Sequence, residues 1–536
     1  MNDMTAPEQT PSPLTMSLME ATLMFSRFTK NGAHPEYIAV EERLGVYSRR
    51  RKTNYWKFIR NAVDGTGGFA NGTYLNPYEL EIENSITDQK FVDRADMADY
   101  DNFARDIADA PWNEITKAKD LISRDTENPL LQAFWRDATL TNSSVLSFLE
   151  YPFFQARLYG TGWIFMDRPL GPIISREQDL DPATRPYVYS VPTQNVVDWR
   201  FDLSGNLAAL VVVEPEGEYK SGARCTLRVW TRGVWARWVP EPDMQGYRLN
   251  DYGVNTLGEI PAIMLFNAYP GPKRAIGYSE MCDVARLSQS VYNIGSEQRE
   301  IERKLATFLA LPVKNAKEYA DGVVIGKNNV MLVDGDAGMP AWISPTMEGH
   351  VRLDSSRNAK IASAYKMANL YGLFTDVSFT SGRHAEIEIA KTEKRLARHA
   401  TTLEHAEMLM SRLFLKYYGL DEKSPMGTFT VQYPREFTLR DIDKAIARAT
   451  ELLALGLGEK SNREALTVLF KTLYPRRKDD FLQAIIEEAV QSIATQQAAA
   501  LASGKPAENP STRIKQLLSN AVSRSQTRVM TAASAS

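Results

Sequence analysis

Two stretches of this chain read as helices too long, and with too narrow an apolar seam, to fill a core unaided. From Ser279 about 30 residues run without proline and with a single glycine, Gly295. Val284, Leu287, Val291, Ile294, Ile301, Leu305 and Phe308 recur there at intervals of three, four or seven. A helix of that length spans roughly 45 Å, so it reads as a strut packed on another helix or another subunit. A second strut runs from about Ala385 to Tyr418, with Ile389, Leu396, Leu403, Ala406, Met410, Leu413 and Tyr417 on one side. Its mixed charges read as a solvated face.

Between the struts, Pro312 is expected to end the first helix. Residues 312–350 follow as a β-rich, glycine-containing insert with strands at Val323–Ile325 and Val330–Val333. Helical text resumes near Leu353, with Ile361, Ala364, Tyr365, Ala368 and Tyr371 on its buried side. The insert thereby falls at the tip of a helical hairpin. Phe374 to Arg383, FTDVSFTSGR, is a polar loop that neither a strand nor a helix pattern claims.

Upstream, residues 1–15 read as a flexible arm lacking the basic start and apolar run of a secretory signal. Met16 to about Phe58 reads as helical, with the basic run Arg49, Arg50, Arg51 and Lys52 within it as a solvated face. Asp64 to Gly72 has the glycine content of a mobile loop. Residues 99–167 are helical in period, broken at Pro111 and Pro129, and end in a core-type aromatic stretch from Tyr151 to Phe165. The period then changes to two. Tyr187–Ser190, Val196–Trp199, Ala208–Val213, Thr226–Trp230 and Val234–Val239 form an antiparallel meander, with Asp202 to Gly205 as one of its turns. Past a lone strand at Thr428–Gln432, the text is helical. Thr438 with Asp441 and Ser461 with Glu464 mark two helix starts, and a last helix covers Lys478 to about Ala500. Residues 509–536 carry Arg513, Lys515, Arg524 and Arg528 without an acid.

The chain has 536 residues, so more than one core is expected. Its 63 Lys plus Arg nearly cancel 66 Asp plus Glu, which excludes a polycation built to clamp nucleic acid. Cys225 and Cys282 are too few for a disulfide framework or a cysteine-rich zinc site. No apolar run approaches the length of a membrane span. Gly322 to Asn328 differs from a phosphate loop in its glycine spacing and in having Asn328 where Ser or Thr belongs. His399 and His405 are six apart, which turns them away from each other on a helix. With no G-x-S-x-G elbow, and with acid pairs such as Asp479-Asp480 and Glu487-Glu488 adjacent on a helix and so read as surface charge, neither a catalytic residue nor a cofactor or metal is expected.

The order of these elements, from GEIPAIMLFNAYPGPKRAIGYSEMCDVARLSQSVYN through the β insert to SFTSGRHAEIEIAKTEKRLARHATTLEHAEMLMSRLFLKYYGL, resembles the portal (head-to-tail connector) proteins of tailed bacteriophages, podovirus-type portals in particular. The resemblance covers about residues 40–440 and rests on order and pattern. It implies an α+β, portal-like fold in a dodecameric ring. Residues 16–276 would be the wing, 277–308 the first stem helix, 309–350 the clip and 351–372 the second stem helix. Residues 373–384 would be the tunnel loop, 385–436 the long helix and wing return, 437–500 the helical crown and 501–536 a flexible basic tail. The family sits at one capsid vertex, assembled in the host cytoplasm, and passes double-stranded DNA through its axis without catalysis of its own. Its partners would be the terminase large subunit, a head-tail adaptor or neck protein, the major capsid protein and scaffold, with no membrane. Within it, Ser378, Thr380, Ser381, Gly382, Arg383 and His384 would face DNA, and Lys314, Lys317, Lys327 and Trp342 of the clip would face partners. Near-neutral charge suits a bore through which phosphates must slide. A soluble hydrolase or nuclease with scattered carboxylates, or another tail or ejection component of the virion, are the rival readings.

Overall fold

Capping residues followed by proline open several helices. A computed structural model describes residues 12–42, 47–48, 51–52, 54–78, 89–169, 181, 184–214, 225–241, 246–304, 308–313, 330–334, 341–343, 348–371, 382–420, 424–435, 437 and scattered positions from 460 to 495. Helix α1 (Pro13–Asn31) starts at Ser12, whose side chain accepts from the Thr15 amide. Helix α2 (Pro35–Glu41) starts at His34, which accepts from the Glu36 amide. The helical text expected from Met16 to Phe58 is therefore interrupted, because Gly32 at φ +79° turns the chain out of α1 and Pro35 begins a new helix. It is interrupted again by an antiparallel pair, β1 (Tyr47–Ser48) and β2 (Arg51–Lys52). Of the basic run, Arg51 and Lys52 thus lie in a strand and not on a helix face, and Arg49 and Arg50 lie outside the described residues.

Helix α3 (Tyr55–Asp64) leads into the glycine-rich segment. That segment is packed, contrary to the mobile loop expected. Gly65, Gly67 and Gly72 take positive φ, but a 3-10 turn at Gly67–Phe69 buries the Phe69 ring against Tyr74, Tyr100 and Tyr292 at centroid distances of 4.9, 4.2 and 5.5 Å. Next come α4 (Gln89–Asp96), α5 (Phe103–Lys117), β3 (Ser123–Thr126), α6 (Pro129–Arg136) and α7 (Val145–Tyr159). Pro129 opens α6 instead of breaking a helix, and Pro111 lies inside α5. The missing Pro111 amide leaves the Ile107 carbonyl without its helical donor. Arg157, fully buried, supplies one: its Nη2 donates to Ile107 O at 2.9 Å, and its Nη1 to Ala108 O.

Helix α7 ends at Gly160 with φ +94°, so Trp163 and Phe165 belong to a strand and not to the helical stretch expected up to residue 167. That strand is β4 (Thr161–Asp167). It is central in a three-stranded antiparallel sheet with β5 (Tyr187–Val191) and a later strand. Strands β6 (Val196–Phe201), β7 (Leu207–Glu214), β8 (Thr226–Thr231), β9 (Val234–Pro240) and β10 (Tyr247–Val254) form the expected meander, each hydrogen-bonded to the next. Two details differ from the sequence reading: β5 joins the smaller sheet, and β10 is an added edge strand. Alternation along the strands divides the core. Ala209 and Val211 face α1, where Phe25 stacks on Trp238 at 4.5 Å. Leu210 and Val212 face the larger core of Trp56, Trp163, Trp199 and Trp230.

The smaller sheet is completed by β11 (Ala262–Phe266), after which come α8 (Met281–Lys304), β12 (Phe308–Val313), β13 (Val330–Asp334), β14 (Ala341–Ile343), α9 (Glu348–Met367), α10 (Gly382–Tyr417) and β15 (Phe429–Gln432). Strand β15 pairs antiparallel with β3.

The chain divides into two compact units. The first comprises Met1–Asn113, Ser123–Phe374 and Arg398–Tyr433 and holds the five sheets found among the described residues. The second comprises Glu114–Ile122, Thr375–Ala397 and Pro434–Ser536. Its described residues include buried Leu466, Phe470, Ile486, Ala489 and Val490, and an Arg463–Glu487 ion pair at 2.8 Å. Ser461, Thr438 and Asp441, read as helix starts, lie outside the described residues, as do the arm at 1–11 and the tail at 501–536.

Candidate functional site

Helix α8 begins at an anchored joint in the first unit. Gly160 and Gly277 bring two backbones so close that a Cβ on either would lie 2.2–2.3 Å from the other's carbonyl oxygen. Thr161 Oγ1 accepts from the Gly277 amide at 2.9 Å and donates to Ala275 O at 2.9 Å. Ser279 Oγ accepts from the Met281 amide at 3.1 Å while donating to Leu158 O at 2.6 Å. Glu280 receives Arg157 Nε at 2.9 Å, and His399 Nε2 of α10 lies 3.8 Å from the same carboxylate. One guanidinium therefore serves both the Ile107 carbonyl freed by Pro111 and the base of α8.

From this joint α8 runs to Lys304, four residues short of the expected end, because Phe308 begins β12. Pro312 does not terminate the helix. It lies in β12, paired in parallel with Val333 and past the part of β12 that pairs with β14. The three strands, ordered β13-β12-β14, lie between α8 and α9 in the chain, and α9 returns along α8. His350 Nε2 meets Glu302 Oε1 at 3.1 Å, Arg299 pairs with Asp99, and Arg357 pairs with Asp101. Ala364 and Ala368 are buried as expected, whereas Ile361, Tyr365 and Tyr371 are half-buried.

The sequence-derived site residues are only partly placed. Lys314, Lys317 and Lys327 lie outside the described residues, and so do Ser378, Thr380 and Ser381. So does the strand expected at Val323–Ile325. Trp342 is in β14, opposite Leu309 of β12. Gly382, Arg383 and His384 are not loop: they form the first turn of α10, directly after Ser381, a residue type suited to starting a helix.

The struts are less needy than their seams imply. Met281, Val284, Ala285, Val291 and Tyr292 of α8 and Leu403, Ala406, Met410 and Phe414 of α10 are buried within one chain. This corrects the reading that the seams are too narrow to fill a core unaided. The reason is breadth: α10 also buries His399, Ala400, Glu407, Ser411 and Leu415, so its inward face is wider than the Leu-Ala-Met series.

Glu407 is the main residue the sequence reading missed. It is fully buried and receives Arg124 through both oxygens, at 2.9 Å from Nη2 to Oε2, and Tyr433 Oη at 2.6 Å. Glu404 accepts from the Tyr433 amide at 2.8 Å. This latch fastens the β3–β15 pair to α10. Burial, and then the Glu407 charge, hold the Tyr433 hydroxyl well above its ordinary pKa. Burial likewise raises Asp167 and Glu297. A signal for Glu407 existed: it is four residues from Leu403 and three from Met410, on the seam itself.

Among the described residues, no group of three or more His, Cys, Asp or Glu side chains could hold a metal ion, and no helix is long and apolar enough to cross a membrane. No protein-family model matches the chain, and no curated protein matches it. Several solved structures are similar to it. One is the virion of a native gene transfer agent (GTA) particle, at 13% identity over 66% of this chain and 85% of that one, with a TM-score of 0.32. Another is the neck of an empty GTA particle with C6 symmetry, at 12% identity over 66% and 86%, TM-score 0.33. A third is the neck of a native GTA particle with C12 symmetry, at 15% identity over 68% and 90%, TM-score 0.33.

Proposed function

We propose that this chain is a portal subunit of a tailed-phage-like particle, one of twelve that form a ring at a single capsid vertex. The observation that carries the reading is the chain order α8, three-stranded sheet, α9, α10 within an α+β fold. A helical hairpin with a small sheet between its arms suits a stem with an exposed docking tip. The anchored joint of Gly160, Gly277, Arg157 and Glu280 suits a strut that must hold its angle under load.

In this reading the stem and the residues around Ser378, Thr380, Ser381, Gly382, Arg383 and His384 border a channel for double-stranded DNA. The sheet region, with Lys314, Lys317, Lys327 and Trp342, receives the terminase large subunit during packaging and an adaptor or neck protein afterwards. Major capsid protein and scaffold surround the ring. The protein acts as conduit and platform with no chemistry of its own.

Native mass spectrometry with negative-stain imaging tests this. Twelve chains of 60.3 kDa give about 724 kDa and a flanged ring with a central hole. A species that stays at one or two chains over the micromolar range, or an elongated fibre, refutes the reading.

A further inference from the structure

Helix α10 sorts its charges by sign. From Ile387 to Tyr417, Glu388 and Glu407 are buried and Glu393 and Glu404 half-buried, so no carboxylate is exposed. Every charged residue that is exposed there is basic. In the part of α10 that belongs to the first unit, Arg398, His405 and Arg412 are exposed at seven-residue intervals. Seven residues bring a helix back to nearly the same side, so the three form one stripe about 21 Å long. Thr401 and Met408 are exposed between them, and Lys416 beyond is held by Glu259 at 2.6 Å.

The same unit holds the opposite feature. Residues 79–109 contain ten acids against Lys90, Arg94 and Arg105. Asp96, Asp99, Asp101 and Asp106 are exposed where this segment passes from α4 into α5. Asp99 pairs with Arg299 of α8 and Asp101 with Arg357 of α9, and both carboxylates stay exposed.

We propose that the Arg398–His405–Arg412 stripe of one copy docks on the Asp96–Asp106 segment of the next copy. This rests on the ring reading above and names the contact that would close the ring. Because the two faces are different surfaces, the contact is head-to-tail, the kind that repeats in one sense and closes by rotation. Charge complementarity selects a second copy over a nucleic acid. A duplex approaching this unit meets its exposed acids as well as its bases, whereas another copy offers each face its opposite. Such pairs set register and partner choice more than they add affinity.

Charge reversal in the full-length chain tests the proposal. R398E/R412E makes both faces acidic, and D96K/D106K makes both basic. By native mass and sedimentation, the parent assembles at about 50 mM salt and less readily at about 500 mM. Each variant alone, with unchanged circular dichroism and urea midpoint, assembles at least roughly tenfold more weakly. An equimolar mixture recovers assembly, because acidic and basic faces again alternate around the ring. Either folded variant assembling like the parent overturns the proposal, as does a mixture that fails to recover. It is also overturned if R398E/R412E assembles normally but loses salt-sensitive binding of a 30-base-pair duplex, which would make the stripe a nucleic-acid surface. A parent that never leaves the monomer overturns the ring reading itself and this contact with it.

Discussion

Lowering the pH should loosen the first unit through His34, and the size of the effect follows from its surroundings. His34 caps α2: its Nδ1 accepts from the Glu36 amide at 3.2 Å, and its ring stacks on Trp199 at a centroid distance of 4.2 Å. Its own amide donates to Val197 O at 2.8 Å. The charged groups facing it are Arg27 of α1 and, behind Arg27 at 3.4 Å, Asp198 of β6. Burial first and the Arg27 charge second lower its pKa from 6.5 to about 4. Protonation would also convert the capping acceptor into a donor and forfeit the cap. The unfolded chain therefore binds this proton more readily than the folded one. Stability is full above pH 6.5 and is lost progressively as the pH falls through the window from 6.5 to about 4. A gap of that width corresponds to about 3 kcal/mol at the low-pH limit. The ring is only half-buried, and solvent screening reduces the figure, leaving about 1 kcal/mol at pH 5. Urea denaturation followed by tryptophan fluorescence at pH 7.5 and pH 5 measures it. The control is H34N, which retains a capping oxygen and cannot be protonated. It should cost a few tenths of a kcal/mol at pH 7.5 and remove about 1 kcal/mol of the pH dependence. An H34N chain as acid-sensitive as the parent would refute the assignment.

The latch and the packed loop make two further predictions. E407Q leaves the half-buried guanidinium of Arg124 facing a neutral amide and should cost about 2 kcal/mol in the first unit, measured by urea denaturation. R124M/E407L removes both charges and should recover most of that loss; a double variant no better than E407Q would mean the pair's geometry, not its charge balance, carries the effect. F69A removes the ring at the centre of the Phe58, Tyr74, Tyr100 and Tyr292 cluster and should cost about 3–5 kcal/mol. A loss below about 1 kcal/mol would show that Asp64 to Gly72 contributes little to the core.

Periodicity carried the architecture where packing obeys local rules. The meander was legible because short connections force neighbouring strands to pair, and both faces of β7 are apolar because both are covered. What escaped was set by partners distant in the chain. Pro111 reads as a helix breaker, and only Arg157, 50 positions from Ile107, makes it tolerable. The glycines from Asp64 to Gly72 read as freedom, yet what fixes the segment is Phe69 meeting Tyr292 of α8. Phe308 fits the helical seam of α8 by spacing alone, but pairing with Ile343 claims it for a strand.

The charges of α10 carry the same lesson into function. A helix rich in Glu, Lys and Arg reads as uniformly solvated when sign is ignored, because mixed charge is what exposed helices usually show. Burial separates the signs: a carboxylate can turn inward only if a donor waits for it, and Arg124, 283 positions away, waits for Glu407. With Glu407 satisfied inside, the charged residues that α10 exposes beyond it, Arg398 and Arg412 among them, are basic. The buried latch and the exposed stripe are then two sides of one arrangement. Holding α10 at a fixed rotation against β3 and β15 is what keeps Arg398, His405 and Arg412 aligned outward. E407Q should for that reason weaken assembly of a still-folded chain as well as its stability, whereas a merely local latch would change stability alone.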